Sequence, residues 1–240
     1  MKNNLFRFKR FEVSHSRSSM KVGVDAVLLG AWGGTKAANI LEVGTGCGII
    51  SLMLAQRFPE AFVDALDIDE PSVDEASENF RNSEWNERLR AWQASFPTDL
   101  GIGYEEKYDL IVSNPPYFDS GLKSPVTSRE KARHQDSLSV FTLLNTCYPF
   151  LSEYGTLSVI FPAEDYSKAI TEASKSRMVA VRECWIRNRL DLPYKRVMID
   201  FKKIESAGNY PAVVQHLVLF EKGNPTKEYK ELCRNFYLKF

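Results

Sequence analysis

The chain is 240 residues long, 44% apolar, 12% aromatic and 26% charged, which excludes disordered, collagen-like and membrane-spanning classes and fits a folded core. Its 31 basic residues balance 31 acidic ones, so a polyanion binder advertised by overall basicity is excluded and only a local basic surface stays open. The longest uncharged stretch, residues 137–152, falls short of the roughly 20 apolar residues that cross a bilayer, so no membrane partner is expected.

The opening MKNNLFRFKRF places charges where a signal peptide needs apolar residues, which points to a cytoplasmic location; residues 1–38 read as an irregular basic arm. Asn39–Val43 (NILEV) is a short apolar strand, and a glycine-rich turn leads into a helix over Ile49–Arg57 that stops before Pro59. Residues 61–66 (AFVDAL) form a second strand, and Pro71 opens a charged amphipathic helix that runs to Arg81. Leu89–Gln93 suits a third strand; residues 108–112 (YDLIV) form a fourth, ending at Asn114-Pro115-Pro116-Tyr117. A helix over 138–150 and a strand over 156–161 follow. Repeated units of this length predict an α/β, Rossmann-like, mainly parallel doubly wound sheet. The β-rich runs 179–186, 197–201 and 216–220 are expected to finish it as antiparallel strands. No repeat or low-complexity linker marks a boundary, so one domain is expected over 1–240, with the arm at 1–38 and the core at 39–240. Cys47, Cys147, Cys184 and Cys233 are far apart and lack histidines at ligand spacing, which predicts reduced structural thiols and no metal.

Ligands of open α/β sheets sit beyond the carboxyl ends of the strands, so the residues just after strands carry the function. After the first strand comes Glu42-Val43-Gly44-Thr45-Gly46-Cys47-Gly48. Its spacing is G-x-G-x-G, not the G-x-G-x-x-G of a dinucleotide pyrophosphate cradle, and it suits the compact loop that wraps the amino-acid end of S-adenosylmethionine. Asp67, nearer its strand end than Asp69, is placed to accept both ribose hydroxyls.

Asn114-Pro115-Pro116-Tyr117 is the most specific signal in the chain. Consecutive prolines lack N–H donors and hold their backbone stiff, so their carbonyls act as fixed acceptors. If the Asn114 side-chain oxygen and the Pro115 carbonyl accept the two N–H bonds of a ring amino group, its nitrogen can pyramidalise toward an in-line methyl sulfonium. Tyr117, with Phe118, offers an aromatic face for the base.

At these residues the chain resembles class I S-adenosylmethionine-dependent methyltransferases that act on amino groups, and more narrowly the bacterial family that methylates N6 of adenine 37 in valine tRNA. The narrower likeness lies in Met20-Lys21-Val22-Gly23-Val24-Asp25, in Arg129 and Arg133-His134, and in the final Asn235-Phe236-Tyr237-Leu238-Lys239-Phe240. The resemblance implies that Val22, Gly23 and Asp25 line the methionine end of the donor and that Ile68 lies against its adenine beside Asp67. It also puts Ser95 and Phe96 at the third-strand end, where many relatives have an Asp for the donor's adenine amino group. Arg129 and Arg133 would hold RNA phosphates and His134 would sit beside the acceptor base. It implies S-adenosylmethionine as co-substrate, tRNA as partner, and no obligate protein partner. Rival activities are methylation of another adenine in RNA or DNA, or of a protein glutamine amide. The extra domains usual in the DNA and protein glutamine enzymes are not expected to find room in this length.

Charge is uneven along the chain. Residues 60–109 hold fourteen acids against four bases, whereas residues 2–21, 123–133 and 175–203 are basic. An RNA-binding enzyme is expected to gather the three basic runs around Asn114 and turn the acidic segment away.

Overall fold

Apolar runs separated by turn residues build an eight-stranded sheet in the computed structural model, which describes residues 4–18, 20–100, 107–116, 138–208 and 211–240. A hairpin of β1 (Leu5–Arg7) and β2 (Glu12–Ser14) precedes α1 (Val24–Trp32). Then follow β3 (Asn39–Val43), α2 (Ile49–Arg57), β4 (Phe62–Asp67), α3 (Glu70–Arg81), β5 (Leu89–Gln93) and β6 (Tyr108–Ser113). The second half contributes α4 (Val140–Thr146), β7 (Leu151–Pro162), α5 (Tyr166–Lys175), β8 (Met178–Arg187), β9 (Arg196–Lys203), β10 (Val213–Val218) and α6 (Lys227–Cys233). The strand order is β10-β8-β9-β7-β6-β3-β4-β5. Strands β3 and β6 are buried on both faces, as a sheet with helices on each side requires. One core cluster packs α1, α2 and α6 against one face, and a second packs α4 and α5 against the other.

Helix α3 shows how the sequence sets local structure. Asp69 caps it through Ser72 N–H, Pro71 occupies its first turn, and its apolar stripe of Val73, Ala76 and Phe80 is buried.

Three expectations need correction. The arm is ordered: Phe8, Phe11 and Val13 enter the first core cluster, and Val24–Trp32 is helical because its near-continuous apolar residues are buried between α2 and the sheet. The helix over 138–150 is shorter, an α-helix to Thr146 and then a 3-10 turn at Tyr148–Phe150 around Pro149, after which the strand starts at Leu151 rather than 156. Strand β9 does run antiparallel to β7 and β8, but β10 pairs parallel with β8. Both edges of β9 are already filled, so the returning chain crosses to the outer edge of β8 and runs in the direction of β8, opposite to β9.

The charge runs also distribute differently. Burial of Phe11 against Trp85 (ring centroids 5.7 Å apart) brings the arm onto the acidic segment, where Arg10 pairs with Glu84 at 2.7 Å and Arg17 with Glu78. Two cations of the N-terminal run therefore pair with acids of the segment that was expected to be turned away. The 123–133 run lies outside the described residues. The third run is split by topology, with Lys175, Arg177, Lys202 and Lys203 near the amino ends of the parallel strands and Arg187, Arg189, Lys195 and Arg196 near their carboxyl ends.

Two buried polar groups fix the pieces that frame the site. Arg57 of α2 donates to the carbonyls of Gly30, Gly33 and Gly34, capping the C-terminus of α1, whose last turn has no cation of its own. Burial holds its pKa down, to about 10. The Glu75 carboxylate of α3 accepts hydrogen bonds from Ser14 Oγ, from the N–H and Oγ of Ser16, and from the N–H groups of Arg17 and Ser18. Those bonds hold its pKa down to about 2 despite burial, and they tie down the segment that leads to Met20. The C-terminal residues resembling the narrower family have a packing role: Tyr237 stacks near Phe8, and Lys9 donates to the carbonyl of Phe240 at 2.8 Å.

Candidate active site

The first strand delivers its glycine loop to the middle of the carboxyl edge. Gly48, at φ +80°, is the N-cap of α2, and a Cβ there would lie 2.5 Å from the Phe80 ring, so the loop can pass α3 only as glycine. Gly46, at φ +54°, meets nothing nearer than Met20 Cβ at 4.0 Å, so a side chain there would project into open space that the fold leaves for a ligand. The loop's N–H groups point inward. Gly44 and Thr45 donate to Leu66 O, Gly46 to Asp67 Oδ2 at 2.8 Å and Gly48 to Thr45 O. A phosphate cradle needs such donors turned outward, so the loop is not built for a pyrophosphate.

What it offers is a small acidic cavity of about 140 Å³. Met20, Lys21, Gly23 and Asp25 line it from the α1 side, Glu42, Gly44, Thr45 and Gly46 from the loop, and Asn114 from β6. That volume is below the roughly 300–1,000 Å³ of a pocket for a whole drug-sized ligand, and it suits an amino-acid-sized group. Glu42 is buried and accepts from Thr45 Oγ1 at 2.8 Å, Ser51 N–H at 3.0 Å and Ser51 Oγ, all at Oε2. Burial pushes its pKa up to about 7, and a cation beside it would restore its charge. Asp67, also raised mainly by burial, is oriented by the N–H groups of Gly46 and Asp69. A cationic amino acid and a ribose fit these two carboxylates, and S-adenosylmethionine combines both.

Asn114 continues directly from β6, whose last residue Ser113 is buried and donates from Oγ to Val43 O at 2.7 Å. This bond ties the end of β6 to the end of β3 and sets Asn114 beside the loop. Pro115 is buried and Pro116 exposed.

Other expected residues divide. Val22 turns its side chain toward the first core cluster while its neighbours Lys21 and Gly23 line the cavity. The Phe96 ring packs on Phe150 (centroids 5.2 Å apart) in the second core, so only its backbone is left for a ligand. Ser95 N–H is taken by Asp99 Oδ2 at 2.8 Å. Ile68 is 69% exposed at the end of β4, an apolar surface open to a base. Tyr117, Phe118, Arg129, Arg133 and His134 lie outside the described residues.

Sequence reasoning missed two residues. Asp99 supplies a carboxylate at the third-strand end, and Arg196 pairs with Asp25 at 2.7 Å, joining the start of β9 to the cavity wall. Only pairing across the sheet brings Arg196 there, 171 positions away, and no local motif signals it. The four cysteines are free and buried, and burial pushes each thiol up to about 12, so none is a ready nucleophile. No described helix is long and apolar enough to cross a membrane.

Comparison with known proteins agrees with this geometry. A predicted O-methyltransferase from Agrobacterium tumefaciens superposes with a TM-score of 0.66 at 18% identity, covering 88% of this chain and 96% of its own. Mitomycin 7-O-methyltransferase gives 0.51 at 14% identity over 75% of this chain and 53% of its own. The family model of the methyltransferase small domain matches residues 16–135. Fold and family together define a class I methyltransferase, an enzyme class whose co-substrate is S-adenosylmethionine. Full-length relatives narrow the class. The tRNA1(Val) (adenine(37)-N6)-methyltransferase of Parabacteroides distasonis is 40% identical over all of both chains. Those of Christiangramia forsetii and Vibrio campbellii are 37% and 34% identical, over all of both chains and over 98% of this chain and 95% of the relative. The chain belongs to this tRNA1(Val) (adenine(37)-N6)-methyltransferase family.

Proposed function

We propose that this protein is a cytoplasmic enzyme that methylates N6 of adenine 37 in the anticodon loop of a valine tRNA. Asn114 shares one cavity with the glycine loop, and this observation carries the reading, because methyl acceptor and donor must meet in line. S-adenosylmethionine supplies an electrophilic methyl group on a positively charged sulfur. Val22, Gly23, Asp25, Glu42, Gly44, Thr45, Gly46 and Gly48 surround its methionine end. Asp67 holds the ribose, Ile68 meets the adenine, and the Ser95–Phe96 backbone closes the third-strand end.

Asn114 Oδ1 and the Pro115 carbonyl accept the two N–H bonds of the target amino group, and Pro116 keeps the turn stiff. Fixed dipoles stabilise the positive charge that grows on nitrogen during transfer, so no base acts beforehand and the proton leaves afterwards. Tyr117, with Phe118, stacks the adenine, Arg129 and Arg133 take phosphates, and His134 borders the base. An anticodon-loop adenine is already unpaired, which spares most of the few kcal/mol that extrusion from a duplex costs.

Labelled methyl transfer to total tRNA, total DNA and ribosomal protein, run in parallel, tests the acceptor class. The expected result is label in tRNA. Digestion and mass spectrometry of valine tRNA should then find N6-methyladenosine at position 37 only in cells that contain the protein. Label confined to protein or DNA overturns the proposal.

A further inference from the structure

The donor and the acceptor have to divide the carboxyl edge of the sheet. The glycine loop, Asp67 and Ser95 occupy the ends of β3, β4 and β5, and Asn114 stands at the end of β6. A macromolecular acceptor is left with the other half, over β7, β9, β8 and β10. That half rises higher: β6 ends level with Val159, whereas β7 runs on to Pro162, opposite Arg196. The strand spacing puts the start of β9 on the order of 10–15 Å from Asn114 and β10 about 20 Å away, within the breadth of an RNA hairpin loop.

We infer that the loop between β8 and β9, residues 188–195, with the strand ends beside it, docks the unpaired nucleotides of an RNA hairpin whose target adenine enters at Asn114. This rests on the proposed function and names the surface that serves it. The loop and its ends carry Arg187, Arg189 and Lys195 against one acid, Asp191, while Arg196 beside them is held by Asp25 at 2.7 Å. Arg189 and Asp191 pair at 2.8 Å, but both side chains are more than half exposed, and such pairs are worth little and yield readily to phosphate. Glu164 and Asp165 follow β7 at this half, and Glu221 and Glu228 share a cavity with Arg189, Asp191 and His216, with Lys222 beside them. Aromatic side chains complete the surface. Tyr194 bonds to His216 Nδ1 at 2.9 Å, meets Trp185 edge-on at 5.8 Å and carries the Arg187 guanidinium 4.9 Å from its ring centroid. The Arg187 Nε is buried without a hydrogen-bond partner. Tyr194 and Trp185 are half-buried, and aromatic faces among cations are how single strands are held without base pairing: bases stack while arginine and lysine follow the phosphates.

Binding of a 17-nucleotide anticodon stem-loop of valine tRNA, followed by fluorescence anisotropy across a salt series, tests the surface directly. Tyr194→Ala is expected to weaken RNA binding about 5- to 100-fold, the range set by losing one base-stacking contact, and Tyr194→Phe should restore most of it. Arg189→Glu with Lys195→Glu, both exposed, should weaken it at least about tenfold and flatten the salt dependence by about two phosphate contacts. S-adenosylmethionine affinity by calorimetry should stay within about twofold of wild type in every variant, which also shows that each has folded. Lys36→Glu, a single charge reversal just before β3 at the opposite edge, should leave RNA binding unaltered. Variants that bind RNA as tightly and with the same salt slope as wild type overturn this surface even if the wild type methylates tRNA. A wild-type protein that binds the stem-loop but methylates none of it overturns the proposed function instead, and one that does not bind it overturns both.

Discussion

Over β3, β4 and β5 the carboxyl edge carries carboxylates oriented by backbone N–H groups and hydroxyls, whereas over β8 and β9 it carries exposed Arg189 and Lys195 beside half-buried Arg187, Tyr194 and Trp185. The contrast follows from what each half has to hold. A small cation gains most where water is excluded and acceptors are fixed in advance, so Glu42 is buried and its oxygen pinned by Ser51 and Thr45. A large polyanion gains from many exposed charges that lose little on contact and release counterions. Asn114 stands at the boundary between the two halves.

The sharpest way to break this division is Asn114→Ala. It should cost two to three orders of magnitude in single-turnover rate, the price of one preorganised acceptor, with donor affinity by calorimetry unchanged. Near-normal turnover would remove Asn114 from the chemistry and the boundary with it.

Asp67→Ala tests the donor half alone. Donor binding should weaken by about 1.5–3 kcal/mol through lost charge-assisted bonds, while RNA binding stays intact. Unchanged donor affinity would move the ribose to Asp69 or Asp99.

Glu75→Ala asks whether the arm belongs to the donor half. Five donors from the arm lose their acceptor, and thermal unfolding should show a loss of about 1–3 kcal/mol with weaker donor binding. The pH dependence has a definite sign. Because the folded pKa is depressed to about 2, this contribution is present above the ordinary value of 4.5 and fades as pH falls from there toward 2. A melting profile of Glu75→Ala that parallels wild type between those pH values would place the arm's anchorage elsewhere.

The smallest effect concerns Glu42. Its folded pKa is raised to about 7, so ionising it costs the free protein stability as pH climbs from 4.5 through 7. A cationic donor favours the ionised form. Donor affinity should therefore rise with pH by at most about tenfold per unit and level off above 7, and Glu42→Gln should flatten the curve. An equally steep curve in Glu42→Gln would assign the dependence to another group.

Much of the donor half was legible because it is local. A strand, a glycine loop and a helix lie within nineteen consecutive residues, Asn39–Arg57, and apolar periodicity alone marks them. Asn114 was legible for the same reason, as a motif at a strand end. The arm was not: its ordering depends on Phe8 and Phe11 finding Trp85 and Tyr237, more than 70 and 220 residues away. The side-chain directions of Val22 and Phe96 were equally hidden, since a residue between elements turns to core or cleft according to what packs against it.

The basic runs show the limit most clearly. A run of cations is a one-dimensional fact, and chain direction decides where each member emerges. In residues 175–203 a single antiparallel turn sends Arg187 and Arg196 to the carboxyl edge and Lys175 and Lys203 to the other. The sequence by itself determined the mainly parallel α/β sheet, the glycine loop, and the place of Asn114 at a strand end, because short-range sterics and hydrogen bonding govern them. Only the tertiary structure decided that the arm packs on the acidic segment and pairs with two of its acids, that Arg196 reaches Asp25, and which cations face the site, because those pairings are set by the order in which strands lie side by side.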